Sequence, residues 1–214
     1  MARNSMGKVN YDYAMKLATT PAEEDGPIWM VNYMRYKPKA VDADGTEAAI
    51  SGQEADDIYN PSDVLARFGA KVAFFGNVID EEGGWHRMGI VLYPTRKSFI
   101  EMQERPDFKE KVVHKEAGME FTVLPCCLPL RPYVGEPDGS RVARFTVYPA
   151  GSPEPVVSEG AVFRVEDTII GDERQWEYLV VSFEDRVDEL PDGAMGVRTT
   201  IQVNNILPLL SELI

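Results

Sequence analysis

The 214-residue sequence predicts an α+β protein made of two related halves, each built on a β-α-β-β-α-β plan. Three observations carry that expectation. Short apolar runs recur at regular intervals, helical segments lie between some of them, and the second half of the chain overlays the first in register.

Residues 1–27 are polar and mixed, broken at Thr20-Pro21 and Gly26-Pro27, and read as a lead-in arm with a short helix around Tyr11 to Leu17. Ile28 to Tyr36 is rich in aromatic and apolar residues and is closed by Lys37-Pro38, so it is expected to be a largely buried strand. Val41 to Ile50 is small and acidic, a loop. Ser51-Gly52-Gln53-Glu54 then opens a helical segment towards Phe68, with an interruption at Pro61. Lys71 to Ile79 and Trp85 to Tyr93 are expected to pair as a hairpin through Asp80-Glu81-Glu82-Gly83-Gly84, whose glycines suit a tight turn. Thr95 stands as the N-cap of a long helix reaching about Ala117. Phe99, Met102, Phe108, Val112 and Val113 form its apolar side, Pro106 forces a bend or restart and Gly118 stops it. Phe121 to Leu128 is the fourth strand, and the Pro-rich run after it is a linker. Strand-like runs return at Arg141 to Tyr148, Ala161 to Ile170, Trp176 to Phe183 and Val197 to Ile206. The prolines of Pro149 to Gly160 leave no room there for a regular helix, and Glu184 to Gly193 could hold about two turns.

Setting Trp176 over Trp85, a shift of 91 residues, superimposes the second hairpin on the first without a gap. Gly69 meets Gly160, Ala70 meets Ala161, Ile79 meets Ile170, and Met88, Ile90 and Leu92 meet Leu179, Val181 and Phe183. Alternation alone is common to any two hairpins; the matched Trp and Gly are what point to an internal repeat. The expected organisation is an arm (1–27), a first unit (28–128), a linker (129–140) and a degenerate second unit (141–214). A sheet with helices on one face leaves its other face apolar and in need of cover. The fold class expected is therefore α+β: tandem ferredoxin-like repeats whose antiparallel sheets pack face to face.

Composition narrows the function. The chain carries 35 acidic against 22 basic residues, a net charge of −13, with no Lys/Arg-rich run, which argues against nucleic acid and against an anionic membrane surface. No window has the eighteen or so consecutive apolar residues of a spanning helix, and the N-terminal stretch lacks the apolar core of a signal peptide. A cytoplasmic setting is expected, with Cys126 and Cys127 reduced at the end of a buried strand. No spaced Cys/His set accompanies them, so no metal is expected. No phosphate-cradling Gly-rich loop, GxSxG, HExxH or CxxC occurs, and no cofactor is expected.

The first half resembles the dimeric α+β barrel superfamily, and within it the uncharacterised domain-of-unknown-function 1330 family. The residues that carry this are Met30-Val31-Asn32-Tyr33-Met34-Arg35-Tyr36, Ser51-Gly52-Gln53-Glu54-Ala55 and Gly69-Ala70-Lys71-Val72-Ala73-Phe74-Phe75-Gly76. They continue with Ile90-Val91-Leu92-Tyr93-Pro94-Thr95-Arg96-Lys97-Ser98-Phe99, Pro106-Asp107-Phe108 and Val113-His114-Lys115-Glu116-Ala117-Gly118-Met119. The resemblance covers about residues 28–128 and implies an intramolecular version of the barrel, with a pocket between sheet and helices or at the mouth between the sheets. Related enzymes there act on small aromatic or polyketide-like molecules.

The candidate site residues are polar or aromatic side chains embedded in apolar strands, where polarity is costly unless used. Asn32 could hold a carbonyl or enolate oxygen, although a buried Asn commonly satisfies a neighbouring backbone group. His86 could act as a general base beside Arg87, an arrangement suited to an oxyanion. Asn32, His86 and Arg87 are thus the expected catalytic set. Tyr36, Tyr59, Arg67, Trp85 and His114 are the expected substrate-binding residues, with core packing, surface pairing or helix capping as the competing explanation for each. Arg35 is a further possible carboxylate clamp. The acidic runs Glu23-Glu24-Asp25, Asp56-Asp57 and Glu81-Glu82 read as solvated faces or turns.

The expected function is cofactor-independent catalysis on an apolar or aromatic small molecule, of isomerase, cyclase, lyase or monooxygenase type. The alternatives are non-catalytic small-ligand binding and, from what the resemblance implies, haem binding with His114 as axial ligand. The expected partners are a small-molecule ligand and a second copy of the chain as a homodimer, with neither nucleic acid nor membrane.

Overall fold

The computed structural model describes residues 6–79, 82–137, 139, 141–185 and 189–213. After β1 (Lys8–Val9) and α1 (Tyr11–Thr19), the arm passes into β2 (Ile28–Tyr36), α2 (Gly52–Ile58), α3 (Ser62–Arg67), β3 (Lys71–Asn77) and β4 (Arg87–Tyr93). Then come α4 (Arg96–Glu104), α5 (Pro106–Gly118), β5 (Met119–Val134), β6 (Val142–Pro149), β7 (Gly160–Gly171), β8 (Trp176–Ser182), β9 (Met195–Thr200), β10 (Val203–Asn204) and α6 (Ile206–Ser211).

Local chemistry sets these boundaries. At α2, Ser51 accepts from the Glu54 amide while the Glu54 carboxylate accepts from the Ser51 amide, a reciprocal cap that satisfies two otherwise orphaned donors. Thr95 and Ser98 do the same at α4. The bend or restart expected at Pro106 is a restart, giving two helices, because Arg105, which precedes Pro106, takes an extended conformation (φ −71°, ψ 137°). The expected linker also differs. Strand β5 runs on through Pro129 to Val134, pairing with β7 across four register shifts that accommodate its prolines and bend it. The last expected strand, Val197 to Ile206, instead breaks at 201–202 and turns into α6. Part of the segment expected to hold two helical turns, Glu184 to Gly193, lies outside the described residues, and no helix occurs in the rest.

The strands form one curled antiparallel sheet in the order β10-β3-β4-β2-β5-β7-β8-β6-β9, with β1 added beside β7. Its ends meet: Val78 bridges Thr199, and Val203 and Asn204 pair with Phe75 and Phe74. Strands β2 to β5 lie in the order β3-β4-β2-β5, and β6 to β9 in the order β7-β8-β6-β9, so each run places its second, third, first and fourth strands side by side. The two runs join edge to edge through β5 and β7, in addition to facing each other.

Alternation along each strand divides the side chains between two compartments. Trp29, Val31, Tyr33, Met88 and Ile90 of the first run meet Phe145, Phe163, Leu179 and Val181 of the second inside the curl. Ring contacts cross this interior, with Phe74 and Phe145 centroids 4.7 Å apart and Trp29 and Phe163 5.3 Å apart. The outer face of the first run (Ile28, Met30, Tyr93) is covered by α1, α3, α4 and α5 through Leu17, Val64, Leu65, Phe99, Met102 and Phe108. Cys126 belongs to this outer layer and Cys127 to the interior, so these sequence neighbours point to opposite faces and share no site. Helices α2 and α5 meet at Gly52 and Gly118, where a Cβ on Gly118 would lie 2.1 Å from the Gly52 carbonyl oxygen.

Candidate functional site: a barrel-mouth pocket and a buried charged cluster

Since every neighbouring pair of strands is antiparallel, β3 and β7 run in the same direction round the curl. Their hairpins to β4 and β8 therefore open at one end of the sheet. That end holds a pocket of about 470 Å³ lined by residues of both runs. From the first run come Arg35, Gly83, Trp85 and Phe121. From the second come Asp172, Arg174, Leu190, Ala194, Met195 and Gly196. Trp85 is buried, its ring set edge-on to Tyr33 (5.8 Å between centroids) and tilted against Phe121 (6.1 Å). The Arg35 guanidinium lies 5.3 Å from the Phe121 ring centroid, with its Nε 3.2 Å from Glu120. Arg174 stacks on Trp176 at 4.9 Å and donates from Nε to Asp172 at 2.7 Å. Burial favours the neutral form of Asp172, but the Arg174 side chain and amide outweigh it and hold the carboxyl below its ordinary value.

A second group lies on the helix side of the same strand ends. Arg87 is buried and donates from Nη1 to Asp56 at 2.9 Å, from Nη2 to Asp57 at 2.8 Å and from Nε to Asn77 at 3.0 Å. The Tyr36 hydroxyl donates to the same Asp56 oxygen at 2.5 Å. His86 accepts the Tyr36 amide proton at Nδ1 (2.9 Å) and stacks on the Tyr36 ring at an interplanar angle of 10°. That bond puts the proton of the neutral imidazole on Nε2. Burial, reinforced by Asp56, pushes the Tyr36 phenol far above its ordinary value. Burial alone would lower Arg87, yet Tyr36, Asp57 and Asp56 outweigh it and raise the guanidinium instead. Lys115 points its ammonium at the Tyr59 ring from 5.5 Å, and burial lowers its pKa, with Asp56 opposing and Arg87 adding to the shift.

The structure thus brings His86, Arg87 and Tyr36 together, with Tyr59 at the edge of the group, and leaves the other expected residues apart. Asn32 accepts a bond from the Thr122 hydroxyl. Arg67 is exposed and pairs with Asp107 and Asp63. His114 is exposed late in α5. Trp85 lines the mouth pocket, on the other side of the sheet from the Tyr36–His86 stack. The reading of Asp56 as part of a solvated run is corrected: Asp56 is 6% exposed and is the hub of the cluster, while Asp57 remains outside. The signal was in the sequence, since the Ser51 cap fixes the phase of α2 and sets Asp56 beside buried Ala55. Phe121, Asp172, Arg174 and Met195 were not singled out; the overlay of Trp176 on Trp85 was the one clue that the second hairpin would reach the same mouth. Among the described residues no cluster of His, Cys, Asp and Glu has the makings of a metal site, and no helix is long and apolar enough to cross a membrane.

No family model matches the chain, and no curated protein matches it. Among solved structures, the RPA0582 protein of unknown function from Rhodopseudomonas palustris is 29% identical, with the alignment covering 61% of this chain and 98% of that one at a TM-score of 0.51. A candidate monooxygenase from Lactobacillus acidophilus aligns at 9% identity over 83% of this chain and 95% of its own, with a TM-score of 0.44. A mutant chlorite dismutase from Candidatus Nitrospira defluvii aligns at 8% identity over 94% and 98%, with a TM-score of 0.43. Over the aligned part, this chain is similar in fold and sequence to the whole of the Rhodopseudomonas protein.

Proposed function

We propose that this protein binds a small, largely apolar or aromatic molecule in the mouth pocket and transforms it without a resident cofactor. The observation that carries the reading is the pocket itself: about 470 Å³, floored by Trp85 and Phe121, with two guanidinium groups on its wall. A concave site that sets a few polar groups among aromatic and aliphatic side chains is how small ligands are generally held. Isomerase or lyase chemistry on such a ligand passes through a developing anion, which a fixed guanidinium stabilises, and Asp172 supplies a carboxylate within the site. The buried Arg87–Asp56–Tyr36 group is the supporting frame of that mouth in this reading, with His86 stacked on Tyr36 at the exposed edge of the group.

Non-catalytic binding is favoured by one feature: among the described lining residues there is no histidine, cysteine or tyrosine. Incubating the purified apo protein with a panel of aromatic ketones and acids, followed by mass spectrometry, separates the two. New products that disappear in Asp172→Asn and Arg174→Gln support catalysis. Ligands that bind and emerge unaltered leave the binding reading and end the catalytic one.

We also infer that the two halves are degenerate copies of one ferredoxin-like unit, forming within one chain the barrel that two chains of the superfamily build. The common strand order and the interior placement of both Trp85 and Trp176 support this. Since the interior is filled from within the chain, a homodimer would use an outer surface, and sedimentation velocity distinguishes monomer from dimer.

A further inference from the structure

The mouth pocket has donors to spare. Arg35 Nε lies 3.2 Å from Glu120 without hydrogen-bond geometry, and among the described residues the two terminal nitrogens of Arg35 make no hydrogen bond. Arg174 is committed through Nε and Nη2 to Asp172, its plane fixed on the Trp176 ring, and its Nη1 has no partner among the described residues. Among the described lining residues the ionisable ones are Arg35, Arg174 and Asp172, with Glu120 beside Arg35. Trp85, Phe121, Leu190, Ala194 and Met195 supply the apolar part of the wall, with Gly83 and Gly196 beside them.

Resting on the reading of this pocket as the binding site, we propose that its ligand is an aromatic carboxylate. The flat body lies against Trp85 and Phe121, and the carboxylate takes the free fork of Arg35. A planar guanidinium meets a planar carboxylate with two parallel charge-assisted bonds, which a neutral amide of the same shape cannot reproduce.

The test uses 2-naphthoate and its uncharged isostere 2-naphthamide as probes, measured by calorimetry at low ionic strength. The naphthoate should bind about tenfold or more tightly than the amide. That preference should vanish in Arg35→Gln, shrink in Arg35→Lys, and persist in Lys97→Gln, a surface control on α4. Circular dichroism confirms that each variant is folded. Equal binding of the two probes, or a preference that survives Arg35→Gln, overturns the carboxylate assignment while leaving the pocket reading in place. If neither probe binds, or if both still bind when Ala194→Trp fills the pocket, the pocket reading itself fails and the carboxylate assignment with it.

Discussion

The buried pair Arg87–Asp56 offers the sharpest test of the arrangement around the mouth. Both side chains are 4% exposed, so each has given up its hydration and depends on the other. In Asp56→Asn the guanidinium keeps Asp57, whose side chain is 58% exposed, and the Asn77 carbonyl, but loses its one buried countercharge. Breaking a buried pair from one side costs about 3–5 kcal/mol, and the two surviving partners place this case at about 3 kcal/mol. For a chain of this size that is a fall in melting temperature of roughly 6–12 °C. Arg87→Met alone leaves the Asp56 carboxylate buried with only the Tyr36 hydroxyl and should cost a similar amount. The double variant Asp56→Asn/Arg87→Met removes both charges and keeps the volume, so its loss should be well below the sum of the singles. Urea unfolding of the four proteins measures the cycle. Single variants within about 1 kcal/mol of the parent, or a double variant as costly as the sum, would refute the claim that the pair is mutually dependent and buried.

Three further outcomes are expected. Gly118→Ala forces a Cβ to within 2.1 Å of the Gly52 carbonyl oxygen and should destabilise by about 2–3 kcal/mol, read as a lower urea midpoint, because backbone on both sides leaves nothing to give way easily. Glu166 accepts from Tyr13, Lys16 and Arg96; burial favours its neutral form, but Arg96 and Tyr13 outweigh it and depress its pKa from 4.5. A depressed carboxylate contributes stability that is present above pH about 4.5 and is lost as pH falls through the folded value, so Glu166→Gln should melt lower at pH 6 and approach the parent by pH 3. Burial pushes the Cys126 thiol up to about 12 and raises Cys127 well above its ordinary value, so neither should react with a thiol–disulfide reagent in the folded protein at pH 8, and both should react in urea.

Much of the secondary structure was legible because local chemistry decides it. The Ser51 and Thr95 caps, the glycine-rich turn after Ile79 and the aromatic run of β2 act within a few residues, and each sets its element almost where the residues place it. Of the bend or restart that Pro106 predicts, the structure shows the restart, since the extended preference of Arg105 is felt before the helix can continue. The prolines after Pro125 were read as a linker because a chain with few free amides is a poor central strand. They are tolerated in β5 because β7 shifts register around them, a property of the partner that β5 does not encode. The same limit applies to Asp56, whose neighbours in sequence are acidic and whose neighbour in space is Arg87, 31 residues away.

By itself the sequence determined the α+β class, the caps and breaks, the first hairpin and the overlay of Trp176 on Trp85, because periodicity and turn chemistry are short-range. Only the tertiary structure decided that β5 joins β7, that the sheet curls until Val78 reaches Thr199, and that Arg35 and Arg174 stand at one mouth. Register and closure depend on pairings between strands far apart in the chain, and a pocket formed from two hairpins exists only once those pairings are made.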